Sequence, residues 1–224
     1  LQQAGMAVVR DRLLPVLLAR QVQKRPDEVR AVARACRRTR AMFLALWRAY
    51  RGMRSTADMM RMIRTKEREY TVSYPTILMV GASIARDGLH ASFTPCDLRR
   101  GGPERFVLLD LGYRAGHYCS DVTRTIPVTG TFTAMQRLWY GIVLDAFRFA
   151  ARRARSGMLY DDLHTQTMRF MYRLIRDRTR LLTRAAAPDA DAVMAMLMPH
   201  HLGHSVGVNV HDATPGAWRL AENH

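Results

Sequence analysis

The stretch Phe106-Val107-Leu108-Leu109-Asp110-Leu111-Gly112 sets a carboxylate into an apolar run, and Asp121 follows eleven residues after Asp110 in Tyr118-Cys119-Ser120-Asp121-Val122-Thr123-Arg124-Thr125. Both runs have the large apolar and β-branched composition of strands, and Ala115-Gly116 between them reads as a turn. A hairpin over that turn predicts that Asp110 and Asp121 meet. Two adjacent buried carboxylates repel unless they share a proton or a cation, so a divalent metal is one reading of the pair. The other reading is structural: Asp110 caps a turn and Asp121 pairs with Arg124.

Outward from the hairpin, residues 71–74 and 76–80 read as further strands and 205–211 as the last one. Pro26, Asp27 and Glu28 favour a helix N-terminus. Val29, Val32, Cys36, Phe43 and Trp47 then recur at helical spacing, which predicts that this face is buried and that Arg30, Arg34, Arg37, Arg38 and Arg48 lie on the outer face. A second helix is expected over residues 56–69, with Met59, Met60, Met62 and Ile63 as core. Helical periodicity returns over 133–154 and 159–183, broken at Ser156-Gly157, and 185–190 reads as a loop. Helices, strands, two helices and a strand predict an α+β fold with helices on one side of an antiparallel sheet. Residues 1–24 read as a linker or the end of an upstream N-terminal domain, and 25–224 as one domain.

The chain has 224 residues, 48% hydrophobic and 24% charged, a composition that excludes disorder as the main state and allows a substantial core. No apolar run approaches the roughly 20 residues that cross a bilayer. Three cysteines without a CxxC pair suit a reducing compartment. The net charge is +16 and arises almost entirely from arginine, since Lys24 and Lys66 are the only lysines. Residues 25–70 carry 13 basic and 5 acidic side chains. Arginine-rich helices of this kind suit polyanions such as RNA or a ribosome, or form a solvated face.

Half of the eight histidines, His200, His201, His204 and His211, fall within twelve positions of Pro199-His200-His201-Leu202-Gly203-His204-Ser205-Val206-Gly207-Val208-Asn209-Val210-His211-Asp212. Their spacing matches neither a zinc finger nor HExxH. Two carboxylates with one imidazole suit manganese, cobalt or zinc in an open, water-activating site.

Several of these strings resemble the Xaa-Pro aminopeptidase (aminopeptidase P) branch of the pita-bread metallopeptidases. They are Leu108-Leu109-Asp110-Leu111-Gly112, the run from Tyr118 to Val128 with Gly130-Thr131-Phe132-Thr133 and Gln136, and Pro199-His200-His201-Leu202-Gly203-His204 with Val210-His211-Asp212. The histidine motif is most similar to the mitochondrial Xaa-Pro aminopeptidase and intermediate-cleaving peptidase type. Lys24-Arg25-Pro26-Asp27-Glu28-Val29 and Ser73-Tyr74-Pro75 resemble the start of that domain and its first strand. The resemblance implies the pita-bread fold and a dinuclear metal centre, most simply a manganese pair with cobalt or zinc as alternatives. It implies Asp110, Asp121 and His204 as metal ligands, with Asp121 bridging. His211 and His200 would hold the substrate, and His90 or Ser92 would occupy a further substrate-histidine position. The implied reaction releases an N-terminal residue, preferentially ahead of proline, through a metal-activated bridging water. The family adds two glutamates further along, one in Glu-Pro-Gly, so the C-terminal part of the domain is expected beyond His224. The alternative is an inactive pita-bread domain associated with RNA or a mitochondrial ribosome. A peptide or protein N-terminus, RNA, and a second copy of the chain are the partners these readings imply. The branch resemblance and basic composition point to a mitochondrial location, or otherwise a cytoplasmic one.

Overall fold

The computed structural model describes residues 16–17, 20–81, 84, 93, 95–179, 181–182, 189–212 and 219–220. They fall into two compact units. The first comprises Arg30–Asp145 and Val206–Val210; the second is built on Ala146–Ser205 with the described residues before Arg30 and after Val210.

The first unit is centred on a three-stranded antiparallel sheet, β1 (Ile77–Val80), β2 (Phe106–Leu111) and β3 (Val122–Pro127), in that spatial order. In register, Leu78 faces Leu109 and Val80 faces Val107 across β1 and β2, while Ile126 faces Val107 across β2 and β3. Side chains alternate across a strand. Val107, Leu109 and Leu111 therefore join one core with Met42, Leu46 and Tyr50 from the first helix side and Met59, Met60 and Ile63 from the second. Asp110 consequently points to the opposite face, beside Ile77 and Thr123 in register.

Helix α1 (Pro26–Ala49) forms where expected, but its buried stripe is Ala31, Ala35, Thr39, Met42 and Leu46. Cys36 and Trp47, expected inside, are exposed. The small Ala31 and Ala35 let the helix approach closely, which the large side chains beside them would prevent. Arg38, expected outside, is half-buried: it donates to the Arg114 carbonyl and lies 4.8 Å over the Tyr70 ring. Helix α2 (Thr56–Glu67) starts at a capping box in which Ser55 and Asp58 exchange hydrogen bonds. Helix α3 (Ala134–Arg153) starts on the analogous Thr133–Gln136 exchange.

Two expected strands are not strands. Residues 71–74 contribute a single bridge, Val72 to Tyr113, before Pro75, which has no N–H to extend a ladder. In 205–211 the backbone bonds go elsewhere: Gly207 accepts from Cys119 and Asp212 donates to Ser205.

In the second unit, α4 (Tyr160–Arg178) buries Leu163, Met168, Tyr172 and Ile175. Phe149 and Phe170 stack at 4.3 Å with Arg153 over Phe149. Helix α5 (Ala190–Leu197), capped by Asp189, was not foreseen from the sequence. Among the described residues no helix is long and apolar enough to cross a membrane.

Candidate metal centre

The first unit brings Asp110 and Asp121 together. The Tyr74 hydroxyl lies 2.5 Å from an Asp110 carboxylate oxygen and 2.8 Å from one of Asp121. One hydroxyl has one proton, so it cannot donate fully to two ionised carboxylates; the second contact is met when a carboxyl proton points at the tyrosine oxygen. Burial, followed by the charge of Asp121, pushes the Asp110 carboxyl above the usual carboxylate range, against the pull of the Tyr74 bond. Burial and the two carboxylates raise the Tyr74 phenol as well. Asp110 therefore does not cap a turn but sits inside β2. Arg124 donates to the Thr123 carbonyl and lies 6.0 Å over Phe43.

Local packing fixes this pair. Asp121 follows Ser120, whose hydroxyl is buried with Thr39 of α1 at 2.7 Å. Both hydroxyls accept from the Tyr113 N–H, and the Ser120 N–H donates to Ser73, next to Tyr74. Gly112 lies so close to the Ser120 carbonyl that only a residue without a β-carbon fits. Gly116, with φ of 62°, forms the expected tip between Ala115 and Tyr118, which pair across it.

The second unit brings His204 and His211 together, with ring centroids 3.9 Å apart. His204 Nδ1 is 3.1 Å from the Ser205 carbonyl oxygen, which can only accept, so Nδ1 is the donor in that contact. His200 makes the same kind of contact to the His201 carbonyl at 3.0 Å. His90 and Ser92 lie outside the described residues.

Composition alone did not reveal the residues that hold this segment. Tyr160 exchanges hydrogen bonds with both backbone groups of Gly203, and His164, one turn along α4, accepts from the Leu202 N–H at 3.1 Å. Lys24 meets Ser205 and Asp212. For Tyr74, the available signal was Ser73-Tyr74-Pro75 directly before an apolar strand.

The donor chemistry fits a divalent cation. Two carboxylates meeting on one hydroxyl need a positive charge or a shared proton between them. Carboxylate oxygens suit manganese or magnesium, and an imidazole lone pair widens the choice to cobalt or zinc.

A profile of metallopeptidase family M24 matches residues 30–223. A probable Xaa-Pro aminopeptidase of Neosartorya fischeri is 37% identical over 112 residues, which are 49% of this chain and 23% of that protein. One of Metarhizium robertsii is 36% identical over 111 residues, again 23% of its length. Among solved structures, an Escherichia coli aminopeptidase P variant in complex with substrate superimposes with a TM-score of 0.76 at 28% identity, covering 93% of this chain and 48% of that one. The zinc-substituted Escherichia coli enzyme in complex with product gives 0.73 at 28% identity over 90% of this chain. The match thus spans about a quarter of the curated relatives and about half of the solved chains. Over that span the architecture is the expected α+β pita-bread fold.

Proposed function

The chain belongs to metallopeptidase family M24, and from that membership we propose that the protein carrying it is a metal-dependent aminopeptidase that releases an N-terminal residue, preferentially ahead of proline. The observation behind this reading is the Asp110–Tyr74–Asp121 cluster, two carboxylates held on one hydroxyl. Asp110, Asp121 and, by its motif, His204 are the proposed ligands, with Nε2 the coordinating atom of His204. A divalent pair, when bound, supplies a Lewis acid and an activated water at neutral pH. Manganese is proposed on the acidic oxygen donors, with cobalt or zinc as substitutes.

The chain's own residues then orient and stabilise. Tyr74 holds the two carboxylates in one geometry before any ligand arrives. When the scissile carbonyl becomes tetrahedral its oxygen gains charge, and donors from His211 and His200 are proposed to offset it. His90 is proposed as a further substrate contact.

The test is elemental analysis and intact mass of the purified full-length protein, followed by hydrolysis of an Xaa-Pro peptide. The expected result is about two divalent ions per chain and turnover that D121N removes by at least roughly 1,000-fold. A metal-free protein without turnover would overturn the reading. RNA contact remains the second proposal, favoured by the exposed arginines Arg30, Arg34 and Arg37 of α1, Arg61 and Arg64 of α2, and Arg68 directly after it. A mitochondrial location is proposed on the branch resemblance.

A further inference from the structure

We propose that Lys24 is a positioning residue for the His204 and His211 imidazoles, an inference that rests on the metallopeptidase reading above. Its ammonium lies 3.0 Å from the Gln21 carbonyl oxygen, 3.2 Å from the Ser205 hydroxyl and 3.4 Å from the Asp212 carboxylate. The ammonium donates to the Gln21 carbonyl and the Ser205 hydroxyl and forms an ion pair with Asp212. The Lys24 and Asp212 side chains are only 10% and 3% exposed. Each loop residue that Lys24 grips directly follows one of the histidines: Ser205 follows His204, and Asp212 follows His211. The Asp212 N–H also donates to the Ser205 carbonyl at 3.0 Å, closing the same neck through the backbone. Lys24 thereby ties together the two points from which the imidazoles project, and the rings sit 3.9 Å apart.

Stability alone is a poor explanation for this ion pair. A buried lysine and carboxylate lose hydration that their attraction barely offsets, and an apolar pair of similar volume serves a core as well or better. The residue type also argues for geometry. The chain uses 33 arginines and two lysines, so arginine is its usual cation. A planar guanidinium fork spreads its donors and its charge, whereas a compact ammonium can serve two acceptors and a carboxylate that converge on one point. The segment on the other side of His204 has a separate anchor, since Tyr160 and His164 hold Gly203 and Leu202. Loss of Lys24 therefore leaves the Ser205–Asp212 neck to its single backbone bond while that anchor stays in place.

The test uses the full-length protein with K24M, K24R and the double variant K24M/D212N. Two readouts are compared: the cross-relaxation between His204 and His211 ring protons in metal-free protein, and kcat and KM for an Xaa-Pro peptide in the metal-loaded protein. K24M is expected to lose the ring-to-ring signal and to lower kcat about 100-fold, with KM changed by less than about threefold. The double variant removes both charges of the buried pair, so it should regain Tm lost in K24M without regaining the signal or the turnover. K24R should keep the charge and fail in the same way. The proposal is overturned if K24M/D212N retains the ring-to-ring signal, or if its kcat stays within about twofold of the parent. If the parent itself hydrolyses no Xaa-Pro peptide, the peptidase reading has failed, and the ring-to-ring signal alone decides the role of Lys24. If K24M does not fold, the double variant and K24R carry the comparison.

Discussion

A β-carbon on Gly112 would lie 1.8 Å from the Ser120 carbonyl oxygen, and that neighbour is backbone, so no rotamer change relieves the clash. G112A is therefore expected to destabilise by roughly 3–5 kcal/mol, at the upper end of single substitutions, read from the shift in denaturant midpoint. Tyr74 offers a milder and more specific probe. Y74F removes the hydroxyl between Asp110 and Asp121 and leaves two half-buried carboxylates facing each other. Metal-free protein should lose about 1–3 kcal/mol of stability, and saturating manganese should restore most of it by binding only the folded state. If saturating manganese does not raise the stability of the Y74F protein, the carboxylates are not its ligands. The sequence displayed the two aspartates because each sits in a run of strand-forming residues. It could not display the tyrosine's double contact, since Tyr74 lies 36 residues before Asp110 and only the folded sheet edge joins them.

At the scale of elements, α4 presents a pH-dependent anchor. Burial, followed by the charge of His201, holds His164 below the ordinary histidine value of 6.5. The ring faces His201 at 5.3 Å and feels His200 and Asp161, while Asp191 lines the adjoining cavity. The folded state thus prefers neutral imidazole, and Nδ1 accepts the Leu202 N–H only in that form. The resulting stability is present in full above pH 6.5 and is lost progressively as the pH falls toward the lower folded value. H164Q cannot titrate, so its unfolding free energy should decline less steeply than that of the parent between about pH 6.5 and 5. Equal slopes would show that the imidazole makes no such contribution. Element positions were largely legible in the sequence, and β2 forms over the very residues expected, because its apolar run is short and bounded. Faces were harder to read. Helix α1 turns its alanines inward, since close approach to the core matters more there than side-chain size. The expected strand over 118–125 begins only at Val122, because the Ser120 backbone and hydroxyl are engaged by Ser73, Thr39 and Tyr113 instead of a ladder. Helix α5 spans eight residues, too short for periodicity to declare it.

For the whole molecule, the +16 charge predicts behaviour that no single contact does. Retention of the protein on single-stranded RNA is expected to fall steeply between about 50 and 200 mM salt. Replacing Arg61, Arg64 and Arg68 with glutamine should reduce the log–log salt slope by roughly two. An unchanged slope would assign those arginines to a solvated helix face. The family was legible because its motifs are contiguous strings. The grip of Lys24 was not, since it joins residues 181 positions apart, from Lys24 to Ser205. That separation also sets an order of events during synthesis. At the usual 5–20 residues per second, Lys24 joins the growing chain roughly 10–40 s before Ser205 does. Until then its ammonium has no partner on the histidine segment, and the carboxylate hairpin, complete some 80 residues earlier, can form alone. The nascent chain therefore passes through an interval in which its two aspartates are paired but its imidazoles are not yet tied.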